Sequence, residues 1–213
     1  MKFYCRKLIL ALLLLGIGRA QAGVLLEPYF GYAASVAGLE KKLFDGNEII
    51  LDYGTWDFGA RAGYVYDIYM AGLDFDWRKM KPTYTLGDPD TKEATEIRPK
   101  VQMLNLGIFV GVWLKDNFNV RVSYFPLIRY KFTEIPSDLL DYDIVHDGDT
   151  WSGNGFSLAI GWRVWEWVAV NFEYKYYSYN HFNDEKVSND KRFRPGELLF
   201  TVSLPFNLGS KTE

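Results

Sequence analysis

The sequence predicts an all-β protein, an eight-stranded antiparallel up-and-down β-barrel, on three observations. Large apolar residues occupy every second position in eight segments, and period two is the spacing of a strand with two unlike faces. The connections between these segments alternate between short and long, which is typical of a meander of hairpins. The large apolar face of each segment also outweighs the small, charged one, which decides below which face points outward.

The first 22 residues have the features of a cleaved secretory signal peptide. They contain a basic start, followed by an apolar run over residues 8–17 and the small-x-small form of a peptidase site at Ala20, Gln21 and Ala22. An apolar run of about ten residues is too short to span a bilayer comfortably. We expect residues 1–22 to be removed and residues 23–213 to form one domain; an uncleaved anchor is the alternative.

The composition of residues 23–213 argues against a nucleic-acid-binding protein and against a disulfide-stabilised one. Four of the 24 basic residues and none of the 27 acidic ones lie in the first 22 residues, so the remaining chain has a formal net charge of −7. An acidic chain is a poor partner for nucleic acid. The single cysteine, Cys5, lies in the signal segment, so an exported chain would have no disulfide framework.

Eight strands are expected, joined by three tight and four long connections. The strands cover residues 25–35, 55–66, 71–80, 101–114, 119–133, 155–165, 169–182 and 197–208. The tight connections are residues 67–70, 115–118 and 166–168, and the long polar ones are 36–54, 81–100, 134–154 and 183–196. Regular alternation of tight and long connections is expected when one end of a barrel is plain and the other is elaborated.

The two faces of each strand differ in size, and size decides which one is outside. In the second strand, Trp56 and Phe58 alternate with Asp57, Gly59 and Arg61. The interior of an eight-stranded barrel is just wide enough for side chains to fill it, so dozens of large apolar side chains cannot fit there. The apolar face must therefore point outward, into lipid, where a closed barrel leaves no unpaired backbone edge. The alternative, a soluble sandwich or lipocalin-like barrel, requires the apolar face to be the smaller one.

The fifth strand contains Pro126, which removes one backbone donor. We expect a small distortion there, with the alternation continuing unchanged to the end of the strand. That prediction places Ile128, Tyr130 and Phe132 on the lipid face. It places Arg129 and Lys131 in the lumen.

Of the charged residues with the spacing of lumen residues, ten of mixed sign are expected to pair with one another in a charge network. They are Asp57, Arg61, Asp74, Asp76, Arg78, Arg121, Arg129, Arg163, Glu173 and Lys175. We interpret them as a salt-bridged plug that fills and stiffens the barrel. A narrow ion path is the alternative.

At this level of pattern the chain resembles the small outer-membrane β-barrels of the OmpA, OmpX and opacity-protein type. The resemblance rests on the signal segment, the eight alternating strands, the three tight turns and the four long loops. It implies a bacterial outer membrane, short turns in the periplasm and long loops outside the cell. It also implies outer-membrane lipid, lipopolysaccharide and the outer-membrane assembly machinery as partners, with Phe206 nearest to the terminal aromatic residue that such barrels use in assembly.

The leading functional expectation is a non-enzymatic surface protein that supports envelope integrity or contacts a host or surface ligand through its loops. A small-solute pore and a lipid A-modifying enzyme are the alternatives. His181 ends the seventh strand on the opposite face from Ser178, so no catalytic pair is expected, and neither a cofactor nor a metal. The basic residues of the last long connection are candidates for contact with lipopolysaccharide phosphates: Lys186, Lys191, Arg192 and Arg194.

Overall fold

The computed structural model describes residues 22–36, 41–42, 48–87, 94–114, 117–136, 146–188 and 193–208. All but one residue of the expected signal peptide lies outside them. The described residues form fourteen strands: β1 Ala22–Ser35, β2 Lys41–Lys42, β3 Glu48–Asp52, β4 Gly54–Tyr66, β5 Tyr69–Met80, β6 Thr83–Gly87, β7 Ala94–Ile97, β8 Lys100–Leu114, β9 Phe118–Glu134, β10 Thr150–Trp165, β11 Val168–Phe182, β12 Glu185–Lys186, β13 Gly196–Ser203 and β14 Phe206–Leu208. None of these residues belongs to a helix long and apolar enough to cross a membrane.

Eight strands close into one antiparallel barrel. Their order is β1-β4-β5-β8-β9-β10-β11-β13, and β13 pairs back onto β1. The predicted eight-stranded up-and-down barrel is confirmed. Closure leaves the barrel without a free edge, which is the condition for a sheet to cross a hydrocarbon layer.

The closing seam contains two prolines and remains paired around them. Pro205 interrupts the last strand between β13 and β14, because proline has no N–H to donate. The backbone N–H of Leu204 donates a 3.0 Å hydrogen bond to the carbonyl of Pro28, and β14 then pairs with the start of β1. β13 and β14 therefore form one barrel strand, with a short irregularity at Pro205.

Burial alternates along the barrel strands as predicted, with the apolar face outside. Trp56, Ile108 and Phe200 are each more than half exposed on the outer surface. Arg61 and Asp74, from the opposite faces of their strands, are 1% and 0% exposed. The outer surface is thus a continuous apolar band, and the polar side chains of these strands line the interior.

A β-bulge in β9 changes this alternation. Leu106 of β8 is paired with Leu127, but Ile108, two residues on, is paired with Tyr124, so β9 has one residue more than β8 in this stretch. Pro126 and Leu127 consequently both point outward. An extra residue in one strand exchanges the two faces beyond it, because side chains alternate with a period of two.

The prediction that the alternation continues unchanged through Pro126 was therefore wrong. Beyond the bulge, Ile128, Tyr130 and Phe132 are buried in the barrel, whereas Arg129 and Lys131 are exposed outside it. Gly107 faces the bulge, where a side chain would be crowded: a Cβ atom there would lie 2.6 Å from the ring of Phe125.

A second, four-stranded sheet extends the barrel at the end with the long connections. It has the order β2-β3-β6-β7 and is built from the first two long connections, which were expected to be loops. Its centre is the pairing of β3 with β6, from Glu48 opposite Gly87 to Asp52 opposite Thr83. Because β3 leads into β4 and β6 follows β5, this sheet prolongs the β4–β5 hairpin beyond the barrel.

Candidate functional site: the charged lumen and its outer rim

An apolar cluster closes the lumen at the end with the tight turns. It consists of four buried side chains, Leu25, Val65, Met70 and Phe109, with the partly buried Trp113 packed against them. These residues lie towards the tight-turn ends of β1, β4, β5 and β8. The small residues expected in the lumen are therefore replaced by large apolar ones at this level.

The first centre of the charged layer is the guanidinium of Arg61 on β4. It donates hydrogen bonds to Glu27 on β1 at 3.2 Å, Asp74 on β5 at 3.1 Å and Glu173 on β11 at 3.0 Å. The ring of Tyr29 covers one face of the guanidinium, with its centroid 4.2 Å from Cζ. Arg61 thus links four strands, its own β4 and the β1, β5 and β11 of its acceptors.

The second centre is Arg78 on β5, which pairs with Glu197 on β13 at 2.7 Å. Glu197 also accepts hydrogen bonds from the hydroxyls of Tyr53, at 2.7 Å, and Tyr177. Asp57 lies 3.8 Å from Arg78 and accepts no hydrogen bond from the described residues. Charge-assisted hydrogen bonds of this kind are the strong ones, and all of these groups are buried.

Two further cations complete the layer. Lys175 on β11 donates a 2.6 Å hydrogen bond to Asp76 on β5. Arg121 on β9 lies 3.6 Å from Glu27 and donates hydrogen bonds to Asn119 and Asn171 at 2.8 and 2.9 Å. Each buried cation therefore has a carboxylate within 4 Å, as burial of charge requires.

A second apolar cluster closes the lumen at the end with the long connections. Its buried members are Tyr53, Met80, Val101, Met103, Phe125, Ile128, Tyr130, Phe132, Ile135, Tyr177 and Tyr179. Several of these side chains point inward because of the β9 bulge. The hydroxyls of Tyr84 on β6 and Tyr130 are 2.6 Å apart, which links the second sheet to this cluster. Burial raises the pKa of Tyr84 above its ordinary value, so this hydroxyl is harder to ionise than one in water.

The structure brings eight of the ten predicted lumen residues together in the charged layer and separates the other two. The eight are Asp57, Arg61, Asp74, Asp76, Arg78, Arg121, Glu173 and Lys175. Arg163 is half-buried near the tight-turn end, with its guanidinium 4.1 Å from the ring centroid of Trp113. Arg129 is on the outer surface, so its assignment to the lumen is corrected: the bulge reverses its direction.

Sequence reasoning missed two carboxylates of the layer, Glu27 and Glu197. Both are buried, and they accept from Arg61 and Arg78 respectively. Glu27 could have been found from its position in the first strand, because it is two residues from both Leu25 and Tyr29 and therefore shares their face. Glu197 was assigned to the eighth strand, but as its first residue it gave no alternation to read.

The basic residues of the last long connection are only partly described. Lys186, in β12, and Arg194 are both exposed. Lys191 and Arg192 lie outside the described residues. Contact of these four side chains with lipopolysaccharide phosphates stays a prediction.

The two histidines make local contacts. His181 on β11 is paired with Ser152 on β10, and its Nδ1 lies 2.7 Å from the side-chain oxygen of Asn180. No hydrogen bond joins Ser152 to His181 in the part of the chain that the structure describes. His146 lies 3.9 Å from Asp149. The same residues contain no group of three His, Cys, Asp or Glu side chains placed to hold a metal ion.

The architecture is similar to that of solved outer-membrane proteins at low sequence identity. Ail, the attachment invasion locus protein of Yersinia pestis, solved in complex with the heparin analogue sucrose octasulfate, is 12% identical with a TM-score of 0.50, over 86% of this chain and 99% of that one. Neisserial surface protein A is 15% identical with a TM-score of 0.49, over 87% and 99%. No protein-family model matches the chain, and no curated protein matches it significantly. The chain has the fold of the small eight-stranded outer-membrane β-barrels.

Proposed function

We propose that the protein is a non-enzymatic surface barrel of the bacterial outer membrane, with its tight turns in the periplasm and its long connections outside the cell. In this proposal the lumen is a structural plug, and the protein supports envelope integrity or contacts ligands through its loop end. The observation that carries the proposal is a charged layer enclosed between two apolar clusters.

A plug agrees better with this lumen than a pore does. A conducting path needs continuous water, but the interior is filled by paired charges in the middle and by apolar side chains at both ends. An ion crossing the layer would have to displace buried ion pairs such as Lys175 with Asp76. Breaking a buried pair costs about 3–5 kcal/mol, which would make passage slow.

The elaborated end of the barrel is then the place for contact with other molecules. The second sheet projects there, and loops carried by a rigid scaffold are where binding residues concentrate. The hydrogen bond between Tyr84 and Tyr130 fixes this sheet to the sealed lumen. The barrel would thus hold a preformed surface at the cell exterior.

Single-channel recording in planar bilayers tests the plug. The refolded protein is first run on a gel boiled and unboiled, because a heat-dependent shift shows that the barrel is closed. We expect the closed barrel to give no discrete conductance steps. Reproducible steps from the closed form would overturn the plug and favour the pore.

The orientation is tested separately by cysteine labelling in intact cells. Asp184 lies in a long connection and Trp167 in a tight turn, and both are exposed. A membrane-impermeant maleimide should label Asp184→Cys in intact cells and Trp167→Cys only after the outer membrane is permeabilised. The reverse pattern would contradict the proposed orientation.

The non-enzymatic part of the proposal is tested on lipid A. Mass spectra of lipid A from cells with and without the protein should be identical. A new lipid A species that disappears in a Ser152→Ala or His181→Ala variant would instead establish an enzyme, with this cross-strand pair as its site.

A further inference from the structure

We propose that the outer surface of β5, β8 and β9, at the loop end, binds the phosphorylated headgroup of a glycolipid. The binding surface, called here the cationic face, consists of Lys79 and Lys81 from β5 and its end, and Arg129 and Lys131 from β9. The proposal rests on the proposed orientation, which places this end of the barrel at the outer leaflet.

The cationic face begins where the apolar outer surface ends. Along β9 the outward side chains are apolar up to Leu127, and the next two outward positions are Arg129 and Lys131. Along β5 the change occurs after Trp77, and Lys79 follows it on the outside. In a membrane barrel the end of the apolar band is the level of the lipid headgroups, so these cations lie at headgroup level.

The strand register places two of the cations in one row. Lys79 is paired with Gln102 of β8, and Gln102 with Lys131 of β9. Two strand spacings place the backbones of Lys79 and Lys131 about 10 Å apart. Two long, flexible side chains at that separation can reach one phosphate group between them, and the amide of Gln102 can donate to the same group.

The bulge at Pro126 creates half of this surface. Without the extra residue, Arg129 and Lys131 would point into the lumen, where the described interior already has a partner for each buried cation. With it, both side chains are exposed on the outside. Bulges commonly redirect side chains next to functional sites, and this one turns two cations toward the lipid headgroups.

The charges of the cationic face are not neutralised by the protein. Within the described residues, Arg129, Lys131 and Lys81 form no ion pair, and Lys79 contacts the ring of Trp77 with Nζ 5.7 Å from the centroid. Nearby Lys100 differs, since it is paired with Glu134. Since none of the four cations forms an ion pair within the described residues, they are available to an external anion.

A pocket beside the row suggests that the anion is carried on a sugar. It has a volume of about 450 Å³, and its lining combines Lys79, Lys81 and Gln102 with the apolar side chains of Met80 and Val101. Apolar side chains beside an amide and lysines suit a sugar ring next to a phosphate, because the ring has apolar faces and its edge carries hydroxyls. The apolar band directly below would contact the acyl chains of the same molecule, which favours a glycolipid over a free sugar phosphate.

Native mass spectrometry of the refolded mature chain in detergent tests the proposal. The probes are lipid A with both phosphates, lipid A with its phosphates removed, phosphatidylglycerol and free glucose 1-phosphate. We expect retention of phosphorylated lipid A and much weaker retention of the other three. Equal retention of phosphatidylglycerol would show that the cationic face attracts any anionic lipid. Binding of free glucose 1-phosphate alone would show that the ligand is soluble. Either result overturns the proposal.

The variant Arg129→Gln with Lys131→Gln should weaken lipid A binding at least about tenfold, since each cation at a charged membrane surface contributes substantially to the attraction. Arg98→Gln is the matched control, because Arg98 is exposed and already paired with Glu96 at 3.1 Å. Unchanged binding in the double variant, or an equal loss in the control, would overturn the proposal.

A second variant separates the cationic face from the other exposed cations. Lys186→Gln with Arg194→Gln removes two of the cations that the sequence predicts to contact lipopolysaccharide phosphates, and it should weaken lipid A binding less than the Arg129 and Lys131 double variant does. A loss confined to it would move the site to the last long connection and overturn the proposal. Heat-dependent gel mobility verifies that each variant is closed. Because binding is measured on purified protein, failure here is distinct from a reversed orientation in cells or from conductance through the lumen.

Discussion

The guanidinium of Arg61 on β4 donates a 3.0 Å hydrogen bond to Glu173 on β11, two strands that are not neighbours in the barrel wall. The contact therefore crosses the lumen instead of following the sheet. The same guanidinium holds Glu27 and Asp74, so one side chain neutralises charge from three other strands.

Replacing Arg61 by methionine should strongly destabilise the barrel. The change leaves Glu27, Asp74 and Glu173 close together without their shared cation. Removing one partner of a buried ion pair costs about 3–5 kcal/mol, and here three partners are left. Urea unfolding of the refolded barrel, followed by tryptophan fluorescence, measures the loss. Arg98→Gln removes an exposed cation and serves as the control; equal stability of the two variants would show that the network contributes little.

Cysteine labelling distinguishes the two faces of β9 beyond the bulge. Residues 23–213 contain no cysteine, so single cysteines can be introduced into the refolded protein. We expect Arg129→Cys to react with a water-soluble maleimide and Ile128→Cys to be protected, because Ile128 is 1% exposed. Protection of position 129 and labelling of position 128 would restore the uninterrupted alternation that the sequence predicts.

Gly72 should not tolerate a larger residue. It lies opposite Gly63, and a Cβ atom at Gly72 would lie 2.2 Å from the carbonyl oxygen of Ala62 and 2.6 Å from the Cα of Gly63. These are backbone atoms, so the strands themselves would have to separate. We expect Gly72→Val to cost about 1–3 kcal/mol or more in urea unfolding. Ala71→Val, on the exposed face of the same strand, should have a small effect, and similar costs would contradict close approach at Gly72.

The hydrogen bond between Tyr84 and Tyr130 should hold the second sheet in place. Tyr84→Phe removes it and should release the sheet by about 1 kcal/mol, the usual net contribution of one hydrogen bond. Hydrogen exchange of the β6 amides should then rise severalfold while that of β8 stays unchanged. Tyr69→Phe, at an exposed hydroxyl, is the control. Unchanged exchange in β6 would mean that the β3–β6 pairing alone fixes the sheet.

The barrel and the direction of its faces were predictable because lipid imposes a simple rule on every strand. In β4 and β5 the large side chains Trp56 and Phe75 lie outside, and Arg61 and Asp74 lie inside, as their alternation requires. Size was sufficient for this conclusion, since an eight-stranded barrel encloses little space.

The second half of β9 was not predictable in the same way. Residues 124–128 are aromatic or aliphatic apart from Pro126, so either face can point outward there without a visible penalty. Phe125 points inward with or without the bulge, so the residues before Pro126 do not reveal the reversal. The missing information is the pairing with β8, in which Leu106 lies opposite Leu127 and Ile108 lies opposite Tyr124. The second sheet was missed for a related reason, because pairing between two separate connections has no signal within either of them.

The acceptor for Arg78 is supplied by β13, the last of the eight barrel strands along the chain. Glu197 lies 119 residues after Arg78, and it also receives the hydroxyls of Tyr53 and Tyr177. A barrel that had acquired every strand except this one would have an arginine in its interior without its main counter-charge. Insertion of the last strand therefore both removes the open edges and neutralises the interior, so a half-assembled barrel is penalised twice and completion is favoured as a single cooperative step.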